Sequence, residues 1–227
     1  MDFTERGSGA GTPSQLDRLL GLADAAAPAR TAVVHPVDAV SLEGAVEAAR
    51  IGLIEPVLIG PAGRIDKAAA AAGIDIAGIE RVDVEHSHAA AEAACALARD
   101  GRVEALMKGS LHTDELLGAV VDRAKGLRTD RRMSHVFIMD VPTYPRPLFI
   151  SDAAINIAPD LATKADIVRN AIDCAHALGV PEPRVAVLAA VETVHPNMPA
   201  TLDAAALCKM ADRGQITGGL QRVRIRV

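Results

Sequence analysis

The sequence predicts an α/β protein, a parallel-sheet domain followed by a second, smaller α/β domain. Three observations predict it. From Arg30 to Gly126, short apolar runs of strand length alternate with Ala-rich helical stretches, which is the rhythm of βαβ units. That rhythm breaks at the basic stretch "GLRTDRRMS". Two β-rich runs joined by the stiff "PTYPRP" then follow, before helices resume. The expected boundary lies near residues 126 to 133. It gives an N-terminal arm and helix over 1–29, a first α/β domain with a parallel sheet over 30–130, and a second α/β domain over 131–227.

The elements follow in order. Residues 1 to about 15 are polar and Gly/Ser-rich and read as a flexible arm. "QLDRLLGLADAA" has apolar residues at helical spacing. "RTAVVHP" reads as a buried strand ending in Pro36, "AVSLEGAVEAARIG" as a helix, and "EPVLIGP" as a strand. "GRIDKAAAAAG" is a helix closed by Gly73, a residue suited to the left-handed C-cap. "IERVDVEH" is a strand, and "SHAAAEAACALARDG" a helix with Ser87 as its expected N-cap. "VEALMKG" is a strand, and "TDELLGAVVDRAKG" a helix that Thr113 is expected to cap, with Asp114 and Glu115 in its first turn. "HVFIMDV" and "RPLFISDAAIN" form a hairpin-type pair. "TKADIVRNAIDCAHALG" is a helix, "PRVAVLAAV" a strand, and "NMPATLDAAALCKMADRG" a helix. The alternation in "RVRIRV" fits an edge strand.

Composition narrows function. Half of the 227 residues are apolar and only 2% are aromatic, with no Trp. Mean hydropathy is +0.20. A sizeable core is therefore built from Ala, Val, Leu and Ile, and aromatic platforms for stacking bases are lacking. Net charge is -5 with no long basic run, which argues against a nucleic-acid partner. No apolar run approaches the roughly 18 residues of a membrane span, and no apolar signal core opens the chain. Cys95, Cys174 and Cys208 lie far apart and are odd in number, so a complete disulfide framework is excluded and a reducing cytoplasm is expected.

Candidate ligand groups gather where strands end. His35, Gly60, His86 and Lys108 with Gly109 all follow predicted strands, so in a parallel sheet they line one edge. "MKGSLHTDELLG" places Lys108 and Ser110 at such a handover. A Lys there meets an anion such as phosphate, although position alone favours a solvated strand end. The carboxylates of Asp114 and Glu115 argue against an anion at that helix tip, so Lys108 to Ser110 is the ligand-facing part. His86 and His88 are two apart with no third ligand, which favours a helix-entry turn over a metal site. Asp152 follows the apolar run "LFIS", with Asn156 four residues on. They face whatever lies beyond the strand, or they shape a turn. The phosphate loop, the G-x-S-x-G elbow and the Gly-rich dinucleotide fingerprint do not occur.

The stretches "ALMKGSLHTDELLGAVV", "GLRTDRRMSHVFIMDVP", "LFISDAAINIAPDLATKADIVRNAIDCAHALG" and "PRVAVLAAVETVHPNMPATLDAAALCKMADRGQITGG" together resemble the phosphate acetyl/butyryltransferase family, from about Arg30 to Gly219. The resemblance implies transfer of an acyl group between coenzyme A and inorganic phosphate. Coenzyme A thioester is then a substrate, with no separate cofactor and no metal. It also implies two α/β domains with a ligand cleft between them, an isocitrate/isopropylmalate dehydrogenase-like fold, and a homodimer. Lys108, Ser110, Asp152, Asn156, His35 and Arg128 become the substrate-binding candidates, with Arg131 and Arg132 as further sources of positive charge. The family pattern continues past "ADRGQITGG" into a Ser-Arg-x-Asp stretch that supplies catalytic groups, whereas this chain reads "LQRVRIRV". The resemblance therefore implies a second domain that is truncated at its C-terminus, and an acyltransferase by descent that is active or inactive as this chain. The alternative is a non-catalytic ligand-binding or dimerisation remnant of the same fold. A metal-dependent dehydrogenase of similar fold is disfavoured, because no Asp cluster for a divalent ion is evident.

Overall fold

The computed structural model describes residues 14–219. Most of the expected N-terminal arm and the expected "RVRIRV" edge strand lie outside the described residues. The chain divides into two compact units. One runs from Gly21 to Asp130, and the other combines 14–20 with 131–219.

The first unit carries a four-stranded sheet of β1 (Ala29–Val34), β2 (Ile54–Gly60), β3 (Glu80–Asp83) and β4 (Ala105–Lys108). All neighbours are parallel, and the strand order is β3-β2-β1-β4. The helices α2 (Ala39–Arg50), α3 (Ala62–Ala72), α4 (Ser87–Arg99) and α5 (Thr113–Val120) connect and follow the strands, while α1 (Gln15–Ala23) precedes them in the chain and belongs for the most part to the other unit. The run Thr31 to Val34 is wholly buried, as expected of a central parallel strand covered on both faces. Its alternation sorts the helices. Ala32, Val34, Val57 and Ile59 pack with Ala90, Ala94 and Leu116 of α4 and α5. Val33 and Leu58 pack with Leu42, Ala45, Ile65 and Ala69 of α2 and α3. Helices thus cover both faces, and each fully buried Val, Leu or Ile contributes about 1.5–3 kcal/mol.

With β2 and β3 laid to one side of β1 and β4 to the other, the strand order reverses between β1 and β4. In open α/β sheets such a reversal opens a crevice beyond the carboxyl ends of the two strands. The opposite, amino edge is tied by charge: Arg30 pairs with Glu80 and Glu55, and Arg102 with Glu80 at 3.1 Å.

The second unit holds a two-stranded antiparallel sheet, β5 (Val136–Met139) with β6 (Leu148–Ser151), and helices α6 (Leu161–Ala177) and α7 (Pro199–Asp212). Ala165, Val168, Ile172, Leu207 and Ala211 form its core between the helices. The expected hairpin-type pair is present. The strand expected over "PRVAVLAAV" is not, since that segment carries only a single bridge residue, Ala186. A strand needs a neighbour along its length to take its N–H and C=O groups, and among the described residues the two sheets contain β1 to β6 alone. Val185 and Val187 instead pack against the α6–α7 core.

Gly109 sets how closely β4 approaches β1. A Cβ there would lie 2.5 Å from the Val34 carbonyl oxygen and 2.8 Å from that of His35. Gly63, inside α3, has nothing within 4 Å of an added Cβ. Gly109→Ala is expected to destabilise the chain by about 2 kcal/mol, the usual scale of overpacking. Gly63→Ala should stabilise it by up to about 1 kcal/mol through helix propensity. Urea unfolding midpoints read both, and a midpoint for Gly109→Ala at or above that of the parent chain would refute the close-approach argument.

Candidate functional site

The site is built where β1 and β4 end. His35 leaves β1 with φ of 56°, the only non-glycine residue at positive φ among the described residues. The left-handed region costs an L-residue about 1–2 kcal/mol, although His tolerates it better than most. Four hydrogen bonds hold it there. His35 N–H donates to Ile59 O at 2.7 Å, and His35 O accepts from Val37 N–H at 3.0 Å and Ser110 N–H at 2.9 Å. The imidazole Nδ1 lies 2.7 Å from Ser110 O. A carbonyl oxygen only accepts, so Nδ1 carries the hydrogen. The residue is 5% exposed, and its Nε2 is buried with no partner among the described residues.

Gly109 N–H donates to Val34 O at 2.9 Å, continuing the ladder one residue past β4. Ser110 is held next to it. Lys108 ends β4 exposed, with Nζ 3.4 Å from Gly109 O. Asp38, in the turn between His35 and α2, completes the group. Its carboxylate accepts Ser41 N–H at 2.8 Å and Ser41 Oγ–H at 2.7 Å. Its pKa is lowered first by those bonds, with further lowering from the Ser110 hydroxyl and the Lys108 ammonium. The structure thus brings His35, Lys108 and Ser110 together and adds Asp38, which the sequence reading missed. The signal for it was present: an Asp just past a strand end, three residues before Ser41, is an N-cap pattern.

Every helix that starts on this edge has a partner at its N-terminus. Asp38 caps α2, and Asp83 accepts Ala62 N–H of α3 at 2.8 Å. His86, not Ser87, caps α4 by accepting Ala89 N–H at 3.1 Å. The position before α5 is His112, not Thr113, and Glu115 accepts His112 N–H at 2.9 Å. Glu115 also accepts from Ser87 Oγ–H at 2.9 Å and faces His88 Nδ1 at 3.1 Å. Its pKa is lowered, chiefly by the His112 N–H. Both cap expectations missed by one residue, because Ser87 turns to Glu115 and leaves α4 to the imidazole before it. Side-chain cations also face an anion arriving here. Lys108 is one. Arg64 and Lys67 line a shallow groove of about 490 Å³ beside Asp38, floored by Ala39, Ala68 and Ala71. Arg128 is exposed in the segment after α5.

Asp152 and Asn156 sit in the second unit, in the loop after β6. Asp152 accepts N–H groups of His135 at 3.0 Å, Ala154 at 3.2 Å, Ile155 at 3.3 Å and Asn156 at 2.9 Å, and also the Asn156 side-chain amide. Asn156 Nδ2 further donates to Met133 O at 3.0 Å. The pair knits the loop to the chain entering β5, the turn-shaping role left open by the sequence. Arg131 binds Asp173 and Asn170 on α6, and Arg132 N–H donates to Asp166 at 3.0 Å. Among the described residues, no three His, Cys, Asp or Glu side chains are grouped to share a metal ion.

Burial alone would raise the Asp152 pKa, but its donors hold it down at about 2, against an ordinary 3.8. The folded value lies below the unfolded one, so the stabilisation is complete above the unfolded pKa and is lost as pH falls through about 2. Discounted for solvent screening, it amounts to about 1 kcal/mol. Asp152→Asn is therefore expected to lower the urea midpoint at neutral pH and to reduce the loss of stability between about pH 4 and pH 2. Parallel pH dependences for the two chains over that window would show that Asp152 does not carry the effect.

Comparison with known proteins adds to this geometry. The family model described as phosphate acetyl/butaryl transferase matches residues 88–221. A phosphate acetyltransferase of Rhizobium meliloti is 61% identical over 92% of this chain and 66% of its own length. A phosphate butyryltransferase of Clostridium acetobutylicum is 39% identical over 83% of this chain and 63% of its own length. The chain thus spans less than two thirds of these curated relatives. The solved phosphotransacetylase of Streptococcus pyogenes shares the fold with a TM-score of 0.71 at 16% identity, over 92% of this chain and 74% of that one. The family match covers more than half the chain and includes β4, α5 and the whole described part of the second unit beyond Asp130, and the chain accordingly belongs to the phosphate acetyl/butyryl transferase family.

Proposed function

We propose that this chain contributes to acyl transfer between coenzyme A and inorganic phosphate. The observation that carries the reading is the exposed Lys108 at the β1–β4 crevice, backed by Ser110 and Asp38, in a chain of this family. In the reaction a phosphate oxygen bonds to the thioester carbonyl carbon. The C–S bond breaks, its electron pair leaves on the coenzyme A sulfur, and the sulfur takes up a proton. The products are an acyl phosphate and the free thiol. The Lys108 ammonium offsets phosphate charge. At about 4 Å such a pair is worth roughly 1–4 kcal/mol between the limits of bulk water and a protein surface. The groove bearing Arg64 and Lys67 suits the phosphate-bearing part of coenzyme A. An isocitrate/isopropylmalate dehydrogenase-like fold, with Asp152, Asn156 and Arg128 as further substrate-binding groups, belongs to the same reading. So does a cytoplasmic setting, supported by three free thiols. No helix among the described residues is long and apolar enough to cross a membrane.

Phosphate-dependent release of free thiol from acetyl- and butyryl-coenzyme A tests the proposal, with this chain and with the chain extended to the length of its relatives. Lys108→Met should raise the KM for phosphate about tenfold, the equivalent of roughly 1.4 kcal/mol, with a smaller change in kcat. No phosphate-dependent thiol release from either length would sink the reading.

A homodimer is the second part of the proposal, and the β5–β6 hairpin supports it. Phe137 stands opposite Ile150 and Met139 opposite Leu148. These four side chains share one face, and each is between 39% and 50% exposed. A contiguous apolar face of this kind marks an association surface. A second copy presenting the same face would cover it with an isologous contact. Sedimentation at micromolar concentration is expected to give a dimer, and Phe137→Glu with Ile150→Lys a monomer. A parent chain that sediments as a monomer, or a dimer indifferent to both substitutions, would exclude this surface.

A further inference from the structure

We propose that His35 is the positioning residue of the β1–β4 crevice: its Nδ1–H latches the turn after β4, fixing Ser110 and Lys108, and the ring does not itself meet the ligand. The inference rests on the reading of this edge as an anion site for its purpose, but the latch stands on geometry alone. His35 and Ser110 exchange two hydrogen bonds, Ser110 N–H to His35 O at 2.9 Å and His35 Nδ1–H to Ser110 O at 2.7 Å. The pair repeats the reciprocal bonding of a β-ladder at a point where both chains have already left the sheet, with an imidazole in place of one backbone N–H. Nδ1 is taken, Nε2 is buried with no partner among the described residues, and the residue is 5% exposed, so a ligand in the crevice reaches neither nitrogen.

The left-handed backbone of His35 belongs to the same device. At φ of 56° the carbonyl of His35 accepts from both Val37 and Ser110, and the chain turns out of the sheet toward Asp38. Two groups of one residue therefore converge on Ser110: the His35 carbonyl on its N–H and the imidazole on its C=O. Lys108 lies two residues before it on a strand that ends there, and Gly109 between them tolerates no side chain. Releasing the latch frees the segment that carries the cation.

Two substitutions separate the hydrogen bond from shape and backbone preference. Asn and Asp both tolerate positive φ, and both place a planar polar group where Nδ1 sits. His35→Asn retains an N–H donor toward Ser110 O. His35→Asp, at about pH 8 where a carboxylate is ionised, presents an acceptor to an acceptor. Amide hydrogen exchange at Ser110 in the full chain should match the parent in His35→Asn. It should be about tenfold faster in His35→Asp, the equivalent of one lost hydrogen bond. A long-range proton–nitrogen spectrum of the parent's ring should show Nδ1 protonated, which needs no variant and no ligand. Titration with inorganic phosphate, read at the Ser110 amide, should give equal affinity for the parent and His35→Asn and about tenfold weaker binding for His35→Asp. Unchanged Ser110 protection in His35→Asp, or an unprotonated Nδ1 in the parent, would overturn the latch. A parent chain with an intact latch that does not bind phosphate would instead overturn the anion-site reading.

Discussion

The architecture of the first unit depends on the closeness of two chain segments, the end of β1 at Val34 and His35 and the start of the turn at Gly109. Backbone at this separation leaves no room for a Cβ. The contact joins strands on either side of the point where the strand order reverses. Without it, β4 would lose the bonds that carry the ladder past Lys108, and the crevice would have no fixed wall. Glycine here is required by proximity to backbone oxygens, where relief would demand movement of strands already buried on both faces. The Ala and Val core explains why such movement is resisted, since Ala32, Val33 and Val34 are fully buried between two helix layers.

Electrostatics divides the two edges of that sheet. The amino edge is neutralised by Arg30, Glu55, Glu80 and Arg102. At the carboxyl edge, helix N-termini would ordinarily offer N–H groups to an anion. In this chain Asp38, Asp83, His86 and Glu115 each already hold one of those donors. The arrangement stabilises the helices. It leaves recognition to side chains that extend beyond the caps, Lys108 foremost. The Lys108 ammonium contributes to holding the nearby Asp38 carboxyl below its ordinary range.

Much of this was legible in the sequence. Period and length gave the four parallel strands and their helices, Gly73 gave a C-cap with φ of 67°, and the Pro-rich connection gave the hairpin. Lys108, Ser110 and His35 were legible as one edge because parallel strands bring all their carboxyl ends to one side. What was not legible depended on tertiary partners. Ser87 has the right chemistry for a cap, but Glu115 from another helix takes its hydroxyl. "PRVAVLAAV" has the composition of a strand, yet strands are made by neighbours, and Val185 and Val187 found helices instead. The orphaned Nε2 and the bonded Nδ1 of His35 could not be foreseen, because they depend on a carbonyl 75 residues away.

The two units solve the same problem of cohesion by different means. The first buries apolar side chains on both faces of a sheet. The second has a helix-pair core and a hairpin with one largely exposed apolar face, and a two-stranded sheet is marginal by itself. Polar bonds supply what burial does not. Asn170 accepts from Arg131 and donates to Arg132 O and Ser134 Oγ, while Asp166 takes Arg132 N–H and the Arg169 guanidinium. These bonds dock the basic segment onto α6. Asp152 then ties the start of β5 to the loop after β6 through five donors. A carboxylate so fully bonded cannot serve as a base without dismantling the loop it organises. It holds backbone in place, just as His35 holds Ser110, and in both units polar side chains fix the chain at the points where strands end.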